Sequence, residues 1–76
     1  MLRDVVFQPG AAIPEKPMDH DMVCHITAGE FKITQGDIEF MLKEGDMYTC
    51  SKGKPESSTN TGNTVGVHRN AILISP

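Results

Sequence analysis

The sequence contains no tryptophan, one tyrosine and three phenylalanines among its 76 residues. With so few aromatics and 38% apolar residues overall, a large core is excluded. A chain this short buries only about 60% of the surface it exposes when unfolded, so a second copy of the chain is expected to cover an apolar face. Basic residues are not in excess: seven Lys and Arg lie scattered among ten Asp and Glu, giving a net charge of −3. Nucleic-acid binding needs a basic stripe and is set aside. No apolar run approaches the ~20 residues of a membrane span. Arg3 and Asp4 interrupt the opening "MLRDVVFQPG" where a signal peptide would need unbroken apolar residues. Two cysteines, Cys24 and Cys50, are too few for a disulfide framework. Reduced thiols in a cytoplasmic protein are the expectation, with a Cys24–Cys50 bridge or redox pair as the alternative. A Gly-x-Ser-x-Gly elbow and a phosphate-cradling glycine loop are also missing, so "ESSTNT" (56–61) reads as hydroxyl-rich strand and turn.

Glycine and proline, by contrast, recur throughout, at Pro9-Gly10, Pro14, Pro17, Gly29, Gly36, Gly45, Gly53, Pro55 and Gly62. No stretch between them has room for an ordinary helix or shows a clean helical period. The intervening stretches alternate instead. "EFKIT" places Phe31 and Ile33 on one face, and "DIEFMLK" places Ile38, Phe40 and Leu42 on one face. Gln35-Gly36 reads as the two-residue turn between them. Glu44 to Asp46 turns into "MYTC", and "NTGN" (60–63) reads as a hairpin leading to a last strand, "TVGVHRNAILIS". Short strands at regular spacing predict an all-β fold, a small antiparallel barrel or sandwich.

The glycines also stand at the spacings of a known frame. The first cupin motif runs Gly, five residues, His-x-His, three or four residues, Glu, six residues, Gly. Gly10 and Gly29 begin and end it here, with Lys16 and Met18 at the histidine positions and Met22 at the glutamate position. The second motif runs Gly, five residues, Pro-x-Gly, two residues, His, three residues, Asn. Gly45, Gly53 and Asn60 fall in register, with Ser51 at the proline and Glu56 at the histidine position. Over residues 10 to 60 the chain therefore resembles the cupin family. The resemblance implies a jelly-roll barrel, here one minimal domain over residues 1–76 with fewer strands than a full jelly roll. In that family a metalloenzyme carries three His and one Glu around iron, manganese, nickel or zinc. All four positions are changed here, and neither a protonated lysine nor a thioether suits such ions. No metal and no cofactor are expected.

The densest cluster of polar chemistry is "MDHDMVCH", Met18 to His25. In the family's geometry Asp19, His20 and Asp21 form a turn, Met22, Cys24 and Ile26 face the interior, and Val23, His25 and Thr27 face away. The two histidines then diverge, and the methionines fill an emptied cavity. The alternative is a soft-metal site of Met18, Met22, Cys24 and His20. The resemblance sets Lys16 and Glu56 across the pocket from one another, as a charged pocket floor, a closing salt bridge, or a lysine reaching to the mouth. Tyr48 and Cys50 share parity and are expected to line the interior with Cys24. If Thr61-Gly62 is a two-residue loop, Glu56 opposes Val67 and His68 points outward, the reading favoured here. A one-residue shift would bring His68 beside Glu56. The candidate pocket is thus Lys16, Met18, Met22, Cys24, Tyr48, Cys50, Glu56 and Asn60. The functional expectation is a metal-free cupin that binds a small ligand in its barrel or acts as an interaction module. It is expected to pair as a homodimer through the strand around Val5 to Phe7 and an outer sheet face. A metal-independent isomerase or epimerase, with Glu56 or His20 as base and Lys16 stabilising an anion, is the enzymatic alternative.

Overall fold

The computed structural model describes residues 1–73. Eight strands follow one another: β1 Leu2–Phe7, β2 Ala12–Pro17, β3 Asp21–Ala28, β4 Glu30–Gln35, β5 Ile38–Lys43, β6 Met47–Cys50, β7 Pro55–Asn60 and β8 Gly66–Leu73. They form two antiparallel four-stranded sheets, β1-β8-β3-β6 and β2-β7-β4-β5. The all-β expectation holds. The expected shortage of strands does not, because eight very short strands suffice for the two sheets of a jelly roll.

Three turns differ from their sequence reading. The β4–β5 hairpin is a two-residue loop, but Gln35 pairs with Ile38, so the loop is Gly36-Asp37, with Gly36 at φ 60°. The segments expected to turn back at Glu44–Asp46 and Asn60–Asn63 instead cross from one sheet to the other. β7 pairs with β2 and β4, whereas β8 pairs with β1 and β3. Hairpin chemistry and sheet-crossing chemistry both draw on Gly, Asn and Asp, so local composition does not separate them.

Strand β2 lies at a sheet edge, which is where Pro14 and Pro17 are tolerated, since neither can donate to a ladder. Its register slips between Ile13, opposite Ser58, and Lys16, opposite Glu56. This bulge inserts one residue and carries Lys16, rather than Glu15, onto the face of Glu56.

The space between the sheets holds two apolar clusters. Phe7, Ile26, Phe31 and Ile33 fill one end, with Phe7 and Phe31 edge-to-face at 4.9 Å. Met22, Cys24, Cys50 and Ile72 fill the other, and Tyr48 packs against both. At the filled end two glycines let backbones meet. A Cβ on Gly29, which sits at φ +85°, would lie 2.8 Å from the Gly66 Cα, and one on Gly66 would lie 2.7 Å from the Phe31 ring. Gly66→Ala should therefore cost about 1–3 kcal/mol by overpacking. Gly62→Ala, whose Cβ would meet nothing closer than 3.5 Å, should change the urea midpoint little. Equal midpoints for the two variants would contradict this packing.

Candidate functional site

A cavity of about 110 Å³ opens between the sheets at the end where β2 passes into β3. Lys16, Met18, Met22 and Glu56, the four positions that correspond to cupin metal ligands, all line it. Alternation along β7 turns Glu56 and Ser58 inward, and alternation along β8 turns His68 and Asn70 inward, all four buried. Arg3, Lys16, Asp19 and His20 stand at its exposed rim.

His68 was expected outside and is inside, 5% exposed. The expectation rested on a β7–β8 hairpin. Because the two strands belong to different sheets, β8 takes its register from β1 and β3, where His68 is opposite Val5 and Ile26.

Beneath the cavity a hydrogen-bond network joins the sheets. Glu56 Oε1 accepts from Gln35 Nε2 at 3.0 Å and from the Cys50 thiol at 2.6 Å, and its Oε2 accepts from the Tyr48 hydroxyl at 3.4 Å. Tyr48 Oη also lies 2.6 Å from His68 Nε2. With the single phenolic proton turned to Glu56, the imidazole Nε2–H donates to Tyr48. Gln35 reaches across further, donating to the Thr49 carbonyl at 3.1 Å. Cys24 and Cys50 are free thiols with sulfurs 3.5 Å apart, on adjacent strands but not directly opposite, since Cys24 faces Tyr48 and Cys50 faces Met22.

Cys50 has one proton and two acceptors, the Cys24 sulfur and the Glu56 carboxylate. Its pKa is pushed well above the usual thiol range, by the bond to Cys24 first, then by burial and Glu56. Cys24, accepting from Cys50 and near His68, is drawn down to about 6 against the opposing effect of burial. The Tyr48 hydroxyl is pushed far up by burial and by negative charge at Cys24 and Glu56.

The remaining candidates separate. Lys16 is exposed and makes no ion pair with Glu56; among the described residues the one ion pair is Arg69–Asp4, at 2.8 Å. Of the readings for this pair, the lysine at the mouth matches the geometry, and the closing salt bridge is corrected. Asn60 does not line the cavity. It is a clamp at the filled end, its Nδ2 donating to the carbonyls of Phe7 and Thr64 at 3.1 and 2.9 Å and its Oδ1 accepting from Gly62 N–H. In "MDHDMVCH" the histidines diverge: His20 is on the exposed turn, and His25 is on the outer sheet face opposite Met47 and Arg69. Met22 and Cys24 pack with Cys50 and Ile72. Among the described residues no three His, Cys, Asp or Glu side chains are arranged to hold a metal. Sequence reasoning missed Ser58, His68 and Asn70; the period-2 spacing of Gly66, His68, Asn70 and Ile72 was the signal available for β8.

With this geometry in place the comparisons can be read. A Drosophila melanogaster CENP-C structure bound to CAL1 superimposes with TM-score 0.88 at 24% identity, over 96% of this chain and 64% of that one. The Schizosaccharomyces pombe Cnp3 cupin domain gives 0.82 at 24%, over 95% and 52%. A cupin superfamily protein from Desulfitobacterium hafniense gives 0.79 at 21%, over 95% and 66%. The fold is that of a small cupin domain. The chain spans about three fifths of the length of the CENP-C chains it matches. No protein-family model and no curated protein matches it.

Glu56→Gln should cost about 1–3 kcal/mol, because the amide keeps one acceptor oxygen and sets its NH2 against the donors on the other side, Tyr48 or the Gln35 and Cys50 pair. Lys16→Gln should cost less than about 0.5 kcal/mol, and the double variant should sum the two rather than rescue. Rescue in urea denaturation would mean that the two charges do pair. The raised Cys50 and Tyr48 values predict an alkaline limb. In the unfolded chain these groups lose protons near the ordinary 9.0 and 10.0, while the folded chain keeps them. The unfolded state then binds fewer protons, so stability should fall as pH rises past about 9, and less steeply in Tyr48→Phe. A flat urea midpoint between pH 8.5 and 10.5, taken as about that range, would contradict the network.

Proposed function

We propose that this chain, as one cupin domain over residues 1–76, is an interaction module that pairs with a second copy of itself through the outer face of the β1-β8-β3-β6 sheet. The observation that carries this reading is the asymmetry of the two outer faces. On the β2-β7-β4-β5 sheet the outward positions are mainly polar, Lys32, Thr34, Glu39, Lys43, Ser57 and Thr59, with Met41 exposed among them. On the other sheet apolar positions are more numerous, with Leu2 and Val6 on β1, Val67, Ala71 and Leu73 on β8, Val23 on β3 and Met47 on β6, interspersed with Asp4, Arg69, Asp21, His25 and Thr49. Leu2 and Val6 are 69% and 62% exposed. An apolar patch of this extent on a small protein marks a contact surface. Its centre carries the Arg69–Asp4 pair, which fixes orientation more than it adds affinity. That a CENP-C structure of the same fold was solved bound to CAL1 supports protein binding by this fold.

A second reading, a small ligand inside the barrel, is favoured by one atom: Asn70 Oδ1 is buried beside the cavity with no hydrogen-bond partner among the described residues. The isomerase alternative is less well supported, because Glu56 is committed to three protein donors and His20 lies on an exposed turn.

Sedimentation equilibrium at about 100 µM should give a dimer, and Val6→Lys should give a folded monomer, since that side chain packs on little in one copy. A monomeric wild-type chain at that concentration would overturn the self-pairing.

A further inference from the structure

The cavity has chemistry specific enough to name a ligand class, an inference that rests on the second reading above. Its volume, about 110 Å³, is below the roughly 150 Å³ that accommodates benzene, so the enclosed part of a ligand has about four heavy atoms. Asn70 is 3% exposed, and its Oδ1 lacks a donor. Leaving such an acceptor unmatched is costly, and a ligand hydroxyl would satisfy it. The neighbouring Ser58 hydroxyl can donate in return.

The cavity is also polarised along its depth. Glu56 lies at the floor, so a ligand carboxylate is repelled from there and turned to the mouth. At the mouth stand two cations on different sheets: Arg3, directly opposite Asn70 across β1 and β8, and Lys16, which the β2 bulge turns inward. Asp19 shares the rim and moderates this field. An ammonium in place of the hydroxyl fits less well. The Glu56 charge would draw it inward, but it brings three N–H donors to be desolvated where Asn70 Oδ1 is the open acceptor, which costs more than burying one hydroxyl.

We propose that the cavity binds a short 2-hydroxy carboxylate of glycolate or lactate size, its hydroxyl donating to Asn70 and its carboxylate held between Arg3 and Lys16.

The test is calorimetric titration of the full chain with glycolate, acetate, ethylene glycol and glycine at constant ionic strength, with amide NMR spectra to locate binding. Glycolate should bind with Kd near about 1 mM and shift the amides of β8, and the other three should bind at least about tenfold more weakly. Asn70→Leu should remove the preference for glycolate over acetate. Lys16→Gln, at an exposed position that leaves folding intact, should weaken glycolate about tenfold and leave ethylene glycol unchanged. Glycolate and acetate binding equally would overturn the role of Asn70 and with it the proposed class. Tighter, Asn70-dependent binding of glycine or ethylene glycol would also overturn the class while leaving the ligand-binding reading standing. No Asn70-dependent binding by any of the four would overturn both.

Discussion

A carboxylate buried between two sheets constrains everything around it. Glu56 is 5% exposed, and an ionised group so placed costs several kcal/mol unless the protein supplies donors. Gln35 comes from β4 beside it, and Tyr48 and Cys50 come from β6 of the facing sheet. None of the three can move away without leaving the charge unmatched, so the network fixes the spacing and mutual orientation of the sheets at this level. Apolar packing cannot do so alone, because the aromatic supply is spent at the other end, on Phe7 and Phe31.

The same charge accounts for what the barrel has kept. The cupin frame survives in its corners: Gly10, Gly29, Gly45 and Gly53 all hold positive φ, and Asn60 ties the filled end. The positions that correspond to cupin metal ligands carry other chemistry. Met18 and Met22 add adaptable apolar volume, Glu56 turns its oxygens to protein donors, and Lys16 reaches the mouth through the Pro14 bulge. The result is a polarised cavity above a hydrogen-bonded network. Among the described residues its unmatched acceptor, Asn70 Oδ1, lies on the cavity wall away from that network.

How much of this was legible in the sequence follows from which interactions are local. Alternation is local, so the inward faces of "EFKIT" and of Met22, Cys24 and Ile26 could be read directly. The corner glycines were legible for the same reason, since positive φ is a property of the residue. Strand partnership is not local. Thr61 and Gly62 have the chemistry of a hairpin, but Thr61 N–H bonds the Glu30 carbonyl and Gly10 N–H bonds the Asn60 carbonyl, which extend the pairing of β7 with its own sheet before the chain crosses to β8. Neither bond has a signal in its own segment. His68 followed that error to the wrong side. Asn60 was placed in the pocket by its motif position, whereas its role is set by Phe7, far away in sequence.

Strand β8 shows why such a register error matters. It is central in its sheet, between β1 and β3, and both of its faces carry specialised residues. Gly66, His68, Asn70 and Ile72 point inward, to the Phe31 ring, the Tyr48 hydroxyl, the cavity and the Met22 cluster in turn. Val67, Arg69, Ala71 and Leu73 point outward, to the apolar face and its ion pair. A slip of one residue would exchange the two sets entirely, burying Arg69 and driving a valine against Phe31. The Gly66–Phe31 contact forbids that slip sterically and the Glu56 network forbids it electrostatically, through His68. The cavity wall and the outer sheet face are therefore two sides of one strand, held in register from the inside.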